Sequence, residues 1–100
     1  MKIMANKGIY ELKRPITFEG KEIKEIDLSG LEDLTGKDMR ELDTQYRQKQ
    51  FNPAITKEFD VLYLQMVLAR ATSKPIELFE SLKAKDWTAL EVYTRNFLLI

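Results

Sequence analysis

Apolar and polar positions alternate in the first third of the chain and recur at helical spacing through the rest. Over residues 9–28, Tyr10, Leu12, Ile16 and Phe18 fall on even positions, the period of two that marks a half-buried strand. Pro15 cannot donate to a ladder, so this strand is expected at an edge or broken there. Glu19 and Gly20 suit a tight turn, and a second strand near 21–28 completes a β-hairpin. Ile23 and Ile26 are three apart and would lie on opposite faces of a regular strand, which predicts a bulge near Lys24 or Glu25. A lone hairpin is marginal in water, so it must pack on helices or pair with another edge.

Thr35 followed by Asp38 reads as an N-cap with the acidic partner of a capping box. The helix it opens runs to about Lys49 with a thin apolar stripe, Met39, Leu42 and Tyr46, and an outward Asp43 and Arg47 pair. Asn52-Pro53 breaks the chain, and Thr56, with Glu58 and Asp60 in the first turn, is the expected cap of a central helix over 59–71. That helix carries apolar residues on nearly every bearing, so it needs cover on more than one side. Pro75 opens a short third helix over 76–82. The last helix starts near Asp86 and presents Trp87, Leu90, Tyr93, Thr94, Phe97 and Leu98 on one face, with Glu91 and Arg95 outward. The expected class is α+β, an N-terminal β-hairpin followed by a bundle of about four α-helices. Residues 1–8 are expected to be frayed and 9–100 to form a single domain, hairpin over 9–28 and helical part over 35–100.

Composition narrows the chemistry. Lys plus Arg and Asp plus Glu are 16 each, and zero net charge argues against a protein held to nucleic acid or anionic lipid by a long-range field. The absence of Cys and His removes disulfides, thiolate nucleophiles, zinc sites of those ligands and imidazole acid–base chemistry. No start of signal-peptide type and no run of about 20 apolar residues is present, so a cytoplasmic protein without a membrane span is expected. The text GLEDLTGKD over 30–38 has the wrong glycine spacing for a phosphate loop, and Asp38 follows Lys37 where a hydroxyl is needed. Carboxylates are interleaved with lysines on polar segments, which reads as solvated surface, and no calcium loop occurs. No catalytic, cofactor-binding or metal site is therefore assigned. The basic and aromatic run over 45–51 supports an alternative: a small nucleic-acid-binding regulatory or adaptor protein acting through Arg40, Arg47 and Lys49.

The ordered pattern Leu12-x-x-Pro15-Ile16-x-Phe18-x-Gly20-Lys21-x-Ile23-x-x-Ile26-x-Leu28, then Leu34-Thr35-x-x-Asp38, Leu68-Ala69-x-Ala71-Thr72 and Leu82-x-x-x-Asp86-Trp87-x-x-Leu90-x-x-Tyr93-x-x-x-Phe97-Leu98 resembles the tail assembly chaperones of tailed bacteriophages. The group is that of the E, 41 and 14 proteins of contractile-tailed phages and prophages. The family often has Gly where Ser73 stands and Pro near Lys83. The resemblance implies a non-enzymatic protein of the bacterial host cytoplasm, absent from the mature virion. It implies that the chain shields the tape measure protein and assists tail tube assembly, and that a longer frameshifted form can accompany it. The partners implied are the tape measure protein and the tail tube protein. The free hairpin edge adds a homo-oligomer as an expectation. A groove between the central and last helices, lined by Leu64, Val67, Leu68, Tyr93, Phe97 and Leu98, is the expected client surface.

Overall fold

A computed structural model describes residues 4–6 and 8–99. Three antiparallel strands, β1 (Met4–Asn6), β2 (Ile9–Phe18) and β3 (Lys21–Asp27), pair in the order β1-β2-β3. Four helices follow: α1 (Gly36–Lys49), α2 (Val61–Thr72), α3 (Ile76–Ser81) and α4 (Ala84–Leu99). Two 3-10 turns, Ser29–Asp33 and Lys57–Phe59, lead into α1 and α2. The expectation of a frayed start over 1–8 falls partly outside the described residues; within it, Met4–Asn6 pair with β2.

The hairpin forms as its alternation requires. Tyr10, Leu12 and Ile16 are buried, and the loop between Phe18 and Lys21 is Glu19 at φ 53° and Gly20 at φ 80°. Two consecutive positive φ values are those of the I′ turn, whose twist matches that of the strands. The irregularity lies on β2 rather than near Lys24 or Glu25 of β3. Glu11 pairs with Glu25 and Ile16 with Ile23, so residues 12–15 face Lys24 alone. Pro15 has no N–H to give the ladder, and the N–H groups of Lys13 and Arg14 donate instead to Asp86 in the first turn of α4. With the extra residues there, Ile23 and Ile26 stand opposite the buried Ile16 and Tyr10 on one face.

The cap of α1 is the expected one: Asp38 N–H donates to Thr35 Oγ1 at 3.2 Å, and Thr35 N–H to Asp38 Oδ2 at 2.8 Å. The cap of α2 is not Thr56 but Asp60, whose Oδ1 accepts from Leu62 N–H at 2.9 Å. Residues 57–59 turn as a 3-10 segment first, because Asp60 is also held by Tyr46 Oη, which donates to its Oδ2 at 2.6 Å. At its other end α2 stops on Ser73 at φ 57°, with Lys74 N–H donating back to Ala69 O at 3.1 Å, a Schellman-type closure.

Cover for α2 comes from α1, α3, α4 and both 3-10 turns. Tyr63, Leu64, Met66, Val67 and Leu68 are all buried. Against the end of α2 the first 3-10 turn approaches so closely that a Cβ on Gly30 would lie 2.1 Å from Ala71 O. Arg70 fastens α2 to α1 by donating to Asp38 Oδ1 from Nε at 3.0 Å and Nη2 at 2.7 Å, and to Glu41. The sheet joins the same core through Tyr10, Leu12, Ile16 and Ile26, packed with residues of α2, α3 and α4.

Candidate functional site

Of the six residues expected to line a groove, Leu64, Val67 and Leu68 are each 0% exposed. Tyr93 and Leu98 pack partly buried against the core, and Phe97 reaches solvent at 37%. No open groove separates α2 from α4, since the three α2 residues are spent on packing within the chain. The apolar surface lies elsewhere. Phe51 (93% exposed), Ile55, Phe59, Val61, Phe97 and Leu99 are large and exposed. Among the described residues they come from two places, the segment 51–61 and the outer end of α4.

Those two places are joined. Arg95 of α4 donates from Nε to Glu58 O at 3.0 Å, and its guanidinium lies 5.0 Å from the centre of the Phe59 ring. Glu91 holds Arg95 in position at 2.7 Å, the i,i+4 pair expected on α4. The segment is also fixed from beneath. Tyr46, fully buried, accepts from Ala54 N–H at 2.8 Å while donating to Asp60, and Gln50 Nε2 donates to the same Asp60 oxygen at 3.0 Å. Burial first, and then the neighbouring Asp60, push the Tyr46 phenol above its usual pKa. Tyr63 packs edge-on to it with centroids 5.5 Å apart and is pushed up to about 12 by burial, then by Glu58 and Asp43. Exposed Phe51, Ile55 and Phe59 thus stand on an ordered base, which lowers the entropy lost when a partner covers them.

The residues of the nucleic-acid reading are not gathered. Arg47 is paired with Asp43 at 3.1 Å, and Arg40 and Lys49 lie on opposite sides of a helix of 3.6 residues per turn. Among the described residues no group of three or more metal-ligating side chains could hold an ion.

A family model described as phage tail assembly chaperone proteins, E, or 41 or 14, matches residues 9–99. The chain belongs to that family. No curated protein and no solved structure matches it. The match runs from the first residue of β2 to the last of α4, so the hairpin, the four helices and both parts of the exposed apolar surface lie inside the region that defines these chaperones. Membership implies protein partners in tail assembly and a non-catalytic role. No described helix of this chaperone is long and apolar enough to cross a membrane.

Sequence reasoning missed the Phe51, Ile55 and Phe59 surface because Asn52, Pro53 and Thr56 around it signal only a break. The available cue was three large apolar residues in a segment with no periodicity to bury them.

Proposed function

We propose that this chaperone shields apolar helical stripes of the tape measure protein in the host cytoplasm and assists the tail tube to assemble around it, without entering the finished virion. The observation that carries this reading is the set of large apolar side chains held in solvent on an ordered base at 51–61 and on α4, in a chain whose family assembles tails. Side chains such as Phe51 and Ile55 give the protein no burial energy of its own. Covering them with a partner's apolar stripe would recover about 1.5–3 kcal/mol for each one fully buried. Several copies along one long helical client add their weak contacts as avidity. Tyr93, Phe97 and Leu98 from the expected groove remain in the proposed surface at its α4 side, whereas Leu64, Val67 and Leu68 support it from the core. The outer edge of β3, unpaired among the described residues, supports self-association along the client.

The test is aggregation of a recombinant tape measure fragment followed by light scattering. Added chaperone is expected to suppress scattering in proportion to its concentration and to co-elute with the fragment. Unchanged scattering at several-fold excess of chaperone overturns the proposal.

A further inference from the structure

At the opposite end of α4 from the apolar surface, the bulge of β2 and the first turn of α4 enclose a cavity of about 280 Å³ lined by Lys13, Arg14, Lys83, Ala84, Lys85 and Asp86. A second recess of about 390 Å³ adjoins it, sharing Lys13, Ala84 and Lys85 and adding Thr88 and Ala89. The four cations are exposed. Elsewhere Arg47 pairs with Asp43, Arg70 with Asp38 and Glu41, Arg95 with Glu91, Lys57 with Asp43 and Glu58, and Lys24 with Glu22, while Lys21, Lys37, Arg40, Lys49 and Lys74 are in no ion pair among the described residues. None of the four around this cavity lies within ion-pairing distance of a carboxylate among the described residues. The one acid present, Asp86, is 1% exposed and already accepts from Tyr10 Oη at 2.7 Å, Lys13 N–H at 2.9 Å and Arg14 N–H at 3.0 Å. Those bonds fix the bulge so that the Lys13 and Arg14 side chains flank those of Lys83 and Lys85.

We propose that this basin binds a carboxylate-rich segment of a protein partner, an inference that rests on the reading of the chain as a chaperone of protein clients. Four like charges around one cavity repel one another, and the one carboxylate in its lining, the buried Asp86, offsets them only in part. A partner's acidic side chains would supply the rest. A nucleic acid fits less well. No aromatic side chain lines either recess to stack on a base. The basin and the apolar surface stand at the two ends of α4, so an apolar stripe and an acidic segment of one client can be held together.

The experiment is fluorescence anisotropy with a labelled oligo-glutamate peptide, comparing the full chain with a Lys83→Gln/Lys85→Gln variant and a Lys37→Gln/Lys49→Gln control on α1. Binding is expected for the parent and the control, at least about ten-fold weaker for the basin variant, and weaker in all three as salt rises. The basin variant is expected to melt at the same or a higher temperature, because removing like charges relieves repulsion. No peptide binding by the parent, or equal loss in both variants, overturns the proposal. Tighter binding of a single-stranded oligonucleotide than of the peptide overturns it in favour of nucleic acid. The scattering assay with the tape measure fragment is read separately on the parent chain, so the basin can fail while the shielding role stands, and the reverse.

Discussion

Asp86 joins the two halves of the molecule through one carboxylate. It lies in the first turn of α4 and is 76 residues from Tyr10, whose hydroxyl it accepts. Burial alone would raise its pKa. Hydrogen bonds from Lys13 N–H, Tyr10 Oη and Arg14 N–H, with the charge of Lys13, outweigh that and hold it below the usual carboxylate range. Tyr10 is pushed up to about 12, by burial first and then by Asp86. A depressed carboxylate stabilises the fold above the unfolded-state pKa, about 3.9. That contribution is lost as pH falls from there through the lower folded value. Asp86→Ala is expected to cost about 2–4 kcal/mol, since it strands two partly buried N–H groups and a buried hydroxyl, and to flatten the acid limb of a urea-denaturation profile taken against pH. A variant with parental stability and an unchanged acid limb would contradict this role. The sequence marked Asp86 as a residue suited to a helix start and as part of the pattern shared with the tail assembly chaperones, with no buried partner assigned to it. Its buried partnership comes from the fold bringing a strand bulge to it, which no local pattern encodes.

At the scale of elements, local chemistry was a good guide wherever the deciding contacts are near in sequence. The Glu19-Gly20 turn, the Thr35 and Asp38 capping box, the Asp43 and Arg47 pair and the inward face of α1 are all interactions of residues at most seven apart, and each was readable. The bulge and the start of α2 were not. Both are settled by distant hydrogen-bond partners, Asp86 for the backbone of Lys13 and Arg14, and Tyr46 for Asp60. The end of α2 carries its own prediction. Ser73 sits at φ 57°, where an L-residue is strained by roughly 1–2 kcal/mol and glycine is not. After glycine's greater freedom in the unfolded chain is subtracted, Ser73→Gly is expected to stabilise by about 0.5–1 kcal/mol. In urea the midpoint should rise with an unchanged slope. A lower midpoint would mean that the Ser73 side chain contributes more than its backbone costs.

For the whole molecule, the question is where a small chain keeps its apolar surface. α2 looked oversupplied with apolar faces, and beyond Val61 at its start the fold covers them: α1, α3, α4 and the two 3-10 turns pack on it, leaving Leu64, Val67 and Leu68 without exposure. A charge at Val67 would therefore report on folding, because a buried unpaired carboxylate destabilises the core itself. The large apolar side chains left exposed among the described residues lie on the segment 51–61 and the outer end of α4, linked by Arg95 over Phe59, and these form the client surface proposed above. The direct measurement is capture of a tape measure fragment by the parent chain and by a Phe59→Asp/Phe97→Asp variant whose circular dichroism and melting match the parent. Loss of most of the captured fragment is the predicted result. Undiminished capture by the folded variant would contradict the assignment of the client surface.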